Sequence, residues 1–198
     1  MIVQSFTGKE INIVEYTVED VDFFDICHRL SKECRWGAGC RQFYSVAEHC
    51  LWVGKITREL GGRMLDGLLY DCHEAYLKDL PGPMKAHMPL WYHMCCNQID
   101  FAIYERLNIT PPDNNQRKMV KRADKIVTYF ECSRLMGQEY YKRITNIEMG
   151  LKAHIGMLPH DMWKIANTLL RYIEMESRAL GSTFEDFPAI ASENSFEI

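Results

Sequence analysis

From Val18 onward the apolar residues of this chain recur at three- and four-residue spacing, one segment after another. That spacing turns one stripe of each helix toward a shared interior. No strand–helix alternation signals a parallel sheet, so the predicted fold class is all-α, a helical bundle. Only the beginning differs: "IVQSFTGKEINIVEY" alternates weakly around a Gly-Lys turn, which predicts a short hairpin or extended arm.

Local signals divide the bundle. A first helix is expected over Val18 to Cys34, with Val21, Phe24, Cys27 and Leu30 as its stripe. A glycine-containing loop, "RWGAGCRQFY", follows. The second helix should begin at "SVAEH", where Ser45 and Glu48 have the spacing of a capping box, and end at Gly61-Gly62. A third is expected over Met64 to Leu77, then a proline-fixed loop "DLPGPMK". Further helices are expected over Pro89 to Leu107, from Asp113–Gln116 to about Met136, and over Pro159 to Leu180. One domain over residues 1–183 with a C-terminal tail over 184–198 is the resulting organisation.

At 198 residues the chain is long enough to bury a core. A net charge of -4 argues against general nucleic-acid or anionic-membrane binding. The basic run "QRKMVKR" reads as the solvated face of a helix. No stretch approaches about 18 consecutive apolar residues, so no membrane span is expected. No leader pattern opens the sequence and no C-x-x-C occurs, so the eight cysteines read as reduced, mostly buried thiols of a cytoplasmic protein.

Three helices carry polar residues where a plain core would have none. His49 lies on the stripe of the second helix beside Trp52, Val53 and Ile56. Asp71 borders the inward face of the third, with Tyr70 before it and Glu74 after it. Asp124 lies over Val120 and Val127. A lone buried carboxylate costs several kcal/mol unless paired or metal-bound. Convergence of an imidazole and two carboxylates would solve that jointly, with an N/O ligand set suited to Mn, Fe, Co, Zn or Mg. Taken singly, each residue also fits a plainer role: a hydrogen-bonded core histidine, an interhelical polar link, an exposed acidic edge. Neither a Walker A nor a G-x-G-x-x-G motif is present.

Three segments, "FYSVAEHCLWV", "GLLYDCHEAYLKDLPGPMK" and "VKRADKIVTYFE", resemble in order and spacing the HD-domain metal-dependent phosphohydrolases, in particular the YfbR/YfdR-like 5′-deoxynucleotidase group and the related phage dATP triphosphohydrolases. The resemblance covers roughly residues 5 to 135. It implies a divalent metal ion held by His49, Asp71 and Asp124. Glu74 would orient or deprotonate the attacking water, and Asp79 would position water or protonate the leaving oxygen. Arg35 and Trp36 would line the nucleotide pocket, and Lys85 would contact phosphate. It further implies a deoxynucleotide substrate and a homo-oligomer, a dimer or larger.

The sequence departs from the family where the dyad histidine should stand: that position holds Tyr70. Three readings follow. The three remaining ligands and water hold the metal, or Tyr70 itself ligates and favours a harder, ferric-type ion, or catalysis is lost and a nucleotide-binding or regulatory fold remains. His73 lies about 200° from Asp71 on a regular helix, so it would join a shared site only if the helix were distorted.

Overall fold

The computed structural model describes residues 1–136, 158, 161–188 and 197. Within them the protein is a helical bundle with one small sheet at its N-terminal end. Strands β1 (Ile2–Gln4) and β2 (Glu10–Asn12) pair antiparallel, with Val3 opposite Ile11. The turn uses Gly8 at φ +88°, a backbone region glycine enters without a Cβ penalty.

Helix α1 (Phe23–Lys32) starts later than its periodicity suggested. Asp22 caps it by accepting from the Phe24 and Asp25 amides, and Val18–Asp20 forms a separate 3-10 turn. Asp25, fully buried, ties three elements together. It accepts from Arg29 Nε at 2.8 Å, from the Phe6 amide of the arm at 2.5 Å, and from Tyr76 Oη at 3.0 Å.

Helix α2 (Val46–Glu59) runs through the centre. Its capping box forms as expected, with Ser45 Oγ accepting from the Glu48 amide and Glu48 accepting from the Ser45 amide. Ala47, Cys50 and Leu51 join the main core, while Trp52, Val53 and Ile56 pack with Val120, Ala123 and Val127 in a second cluster. A helix apolar on nearly all sides is buried on nearly all sides. Each fully buried Leu or Ile stabilises by roughly 1.5–3 kcal/mol relative to exposure.

The segment read as one helix over Met64 to Leu77 is two. Helix α3 (Met64–Leu68) and the single-turn α4 (Glu74–Leu77) are separated by turns. Amides of Tyr70, Cys72, Glu74, Ala75 and Tyr76 each donate three residues back rather than four. This tightening is of the 3-10 kind, in which side chains three apart eclipse. Helices α2 and α3 approach at two glycines: a Cβ on Gly67 would lie 2.7 Å from Gly54 Cα, and one on Gly54 would lie 2.8 Å from the Leu68 side chain.

Within "DLPGPMK" a short helix α5 (Gly82–Lys85) follows Pro81. Helix α6 (Leu90–Arg106) and helix α7 (Asn114–Leu135) match their predicted spans, and Asp113 with Gln116 forms the predicted capping box. Helix α8 (Met162–Ala179) closes the bundle against α1, α2 and α3. Its predicted start at Pro159 lies outside the described residues, as does most of the segment read as a tail. Phe184 and Phe187, early in that segment, lie 5.5 and 5.3 Å from the Phe23 ring. Among the described residues no helix is long and apolar enough to cross a membrane.

Candidate metal centre

Helices α2, α7 and the α3–α4 turn bring His49, Asp71 and Asp124 together. His49 Nε2 stands 3.4 Å from Asp71 Oδ2 and 3.3 Å from Asp124 Oδ1. It is completely buried, yet neither contact has hydrogen-bond alignment, so Nε2 faces two carboxylates without a bonded partner. On the other side of the ring, Nδ1 is fixed at 2.7 Å from Glu131 Oε1. Such an outer partner sets which nitrogen points inward and raises its basicity.

The turn between α3 and α4 supplies the distortion that His73 needs to join the site. On a regular helix it would point away from Asp71, but the tightened backbone brings ligand atoms of Asp71, His73 and Glu74 within 4.8 Å of one another. His73 Nδ1 contacts Asp100 Oδ1 at 3.0 Å. This group, with Asp71 and Glu74 buried and His73 half-buried, can hold a metal ion. Glu74 is completely buried with Oε2 unbonded, a second polar atom without a partner at the same place.

Carboxylates dominate the region: Asp71, Glu74, Asp79, Asp124 and Glu131, against the cations Arg35 and Lys85. Burial, and then Asp71 three residues away, push the Glu74 carboxyl up to about 8 even though Lys85 Nζ contacts its Oε1. Burial also works against ionised Asp71 and Glu131. For Asp71, His49, Lys85 and Arg35 outweigh burial and hold the carboxyl below its usual range. His49 and Arg35 do the same for Glu131. Burial and Arg35 push the His49 imidazole down, but Glu131, Asp124 and Asp71 prevail and raise it. The donor set therefore fits a cation: it is rich in carboxylate oxygen, short of positive charge, and holds an imidazole nitrogen aimed inward.

Tyr70 is half-buried against the second core cluster. Burial first, then Asp124, Asp71 and Glu74, raise its phenol above the ordinary value and keep it neutral. A neutral phenol is a poor ligand for a divalent ion.

Arg35 and Trp36 come from the loop between α1 and α2. Arg35 Nη1 lies 3.1 Å from Asp79 Oδ1 and 3.9 Å from Asp71, and Nη2 lies 3.5 Å from Glu131. The Trp36 amide donates to the second oxygen of Asp79 at 2.9 Å. Asp79 thus has both oxygens engaged in holding the loop, a positioning contact rather than a free acid. Arg29 turns to Asp25, away from the site.

A cleft of about 850 Å³ opens beside Tyr70, Asp71 and His73, with Lys85, Arg117 and Lys121 also on its walls. Arg117 and Lys121 belong to the "QRKMVKR" face, exposed as expected but bordering this cleft. Sequence reasoning missed them and Glu131. The signal for Glu131 was present: it lies seven residues after Asp124, two turns along the same helix face.

The uncharacterized protein YfdR of Escherichia coli (strain K12) is 30% identical over 125 residues, which cover 63% of this chain and 67% of that protein. The chain belongs to the YfdR family. An uncharacterized protein of Rhodobacter capsulatus is 27% identical over 139 residues, covering 66% of this chain and 71% of its own length. No family model matches the chain. The matched lengths leave about a third of this YfdR-family chain unaligned in each case.

Proposed function

We propose that this YfdR-family protein is a divalent-metal-dependent phosphohydrolase of the HD-domain type, acting on deoxynucleotides as a 5′-deoxynucleotidase. The observation that carries the reading is the convergence of His49, Asp71 and Asp124 around an unbonded imidazole nitrogen, with Glu74 adjacent and a cleft carrying Lys85, Arg117 and Lys121 beside them. His49, Asp71 and Asp124 would hold the ion, with His73 as an additional donor. When bound, a divalent cation supplies Lewis acidity toward water and toward a phosphoryl oxygen.

The chain's own groups supply the rest. Burial and Asp71 hold the Glu74 carboxyl up to about 8 in the metal-free protein, and a bound cation would offset that charge and leave Glu74 ionised to take a proton from water. Asp79 holds the Arg35 guanidinium and the Trp36 backbone at the rim. Lys85 offsets charge developing on the phosphoryl group.

A dNTP triphosphohydrolase is the second reading. Arg117 and Lys121 on the cleft wall favour it, since a triphosphate needs more cations than a monophosphate.

The test is release of phosphate and polyphosphate from a panel of dNMPs and dNTPs with Mn, Co, Zn, Mg or EDTA, on wild type and Tyr70→His. Metal-dependent release by wild type is expected, and the released product identifies the reaction. Silence in wild type with activity in Tyr70→His would overturn catalysis in favour of nucleotide binding.

A further inference from the structure

We propose that Cys34 and Cys40 form a reversible disulfide that locks the loop presenting Arg35 and Trp36. The two sulfurs lie 3.6 Å apart at opposite ends of that loop. Bonding requires an approach of roughly 1.6 Å, to the usual S–S length.

The backbone explains the approach. Trp36, Gly37 and Ala38 have φ of 63°, 57° and 63°, three consecutive residues in the left-handed region. That turn doubles the chain back, and the Gly39 amide donates to the Trp36 carbonyl at 3.0 Å. Both ends are anchored. Cys34 forms an isolated antiparallel bridge with Ser45, and the Arg35 amide donates to the Tyr44 carbonyl at 2.9 Å. Next to Cys40, the Arg41 amide donates to the Leu135 carbonyl at 2.9 Å. A small contraction between fixed ends suffices, without refolding.

Access distinguishes this pair from the other thiols. Cys34 and Cys40 are half-buried, whereas Cys27, Cys50, Cys72, Cys95 and Cys132 are buried. Cys96, also half-buried, adjoins Cys95 in sequence. The Cys40 thiol donates to the Arg35 carbonyl at 3.7 Å, and burial and Cys34 keep it protonated. With the Cys40 proton engaged by that carbonyl, Cys34 is taken as the attacking sulfur. The oxidant is a low-molecular-weight disulfide of the glutathione class. Cys34 thiolate attacks one of its sulfurs and expels one thiol, giving a mixed disulfide. Cys40 loses its proton, attacks the Cys34 sulfur and expels the second thiol. Two protein thiols are oxidised and one small disulfide is reduced to two thiols.

The consequence is covalent confinement of a segment otherwise held by the ion pairs of Arg35 and by hydrogen bonds to Asp79, Tyr44 and Leu135. The inference does not depend on catalysis, because its readout is covalent.

The experiment treats the full chain with oxidised glutathione, blocks free thiols by alkylation and digests with trypsin. Cleavage after Lys32, Arg35 and Arg41 separates Cys34 from Cys40. The expected product is therefore a linked pair of peptides, 33–35 with 36–41, abolished by reductant, while the other six cysteines carry the alkyl label. Brief tryptic nicking of the native protein at exposed Arg41 should slow several-fold on oxidation. Cys34→Ser and Cys40→Ser should remove both effects, and Cys96→Ser neither. A stable glutathione adduct on Cys34, its pairing with another cysteine, or oxidation of several pairs at similar rates would overturn the disulfide. Formation of the linked pair with unchanged nicking would overturn the locking.

Discussion

Glu74→Gln in EDTA isolates the electrostatic state of the centre without any assay of turnover. Glu74 is completely buried beside Asp71, and its carboxyl is raised from an ordinary 4.5 to about 8. The native state therefore holds this proton over an interval in which the unfolded chain has released it. The stability contributed by that proton is complete below the unfolded pKa and is lost as pH rises toward and through the folded one. Each pH unit inside the interval costs about 1.4 kcal/mol, so going from about pH 5.5 to about pH 7.5 costs wild type about 3 kcal/mol. Glutamine cannot ionise and escapes the loss. His49, Asp71 and Glu131 titrate in both proteins and largely cancel in the difference. For a chain of this size the gap in Tm between variant and wild type should widen by roughly 5–10 °C across that range. Thermal unfolding followed by circular dichroism at matched ionic strength reads it. Parallel curves, with a gap constant to about 1 °C across the window, would refute the reasoning about burial and Asp71 repulsion.

Glu131→Gln should weaken binding of Mn or Zn by about 10–100-fold in a competition titration, because His49 loses the partner that aims Nε2 inward. Gly67→Ala should lower stability by about 1–3 kcal/mol in urea, since its methyl group would meet the Gly54 backbone. Tyr76→Phe should cost about 1 kcal/mol in the same measurement, because Asp25 loses one of three donors while keeping Phe6 and Arg29.

Two capping boxes, Ser45–Glu48 and Asp113–Gln116, were legible in the sequence because each is a local pattern that tertiary contacts do not need to complete. The stripes of α2 and α7 and the span of α6 were legible for a similar reason. The break between α3 and α4 was not. Nothing from Leu68 to Leu77 is Gly or Pro, and the apolar spacing continues through it. Backbone bonding three residues back, rather than four, moves His73 toward Asp71 and eclipses Asp71 with Glu74. The loop at Trp36–Ala38 was equally hidden, since two of its three left-handed residues are not glycine. The three stripes raised the convergence of His49, Asp71 and Asp124 beside plainer roles for each, and the family resemblance implied them as a ligand set. Glu131 and the cleft cations Arg117 and Lys121 lay on segments already noted, but their destinations depended on how α7 packs.

The glycine contact between α2 and α3 acts as a gauge block. Spacing set by abutting backbone has no side chain to change rotamer, so the distance from His49 to Asp71 is insulated from repacking elsewhere in the core. Substitutions among Leu, Ile and Val farther out can be absorbed without detuning the centre. A change in the donor itself, such as tyrosine at position 70, leaves the frame intact. Which atoms face the centre and how far apart they stand are thus written in different residues, and each can be altered while the other is held.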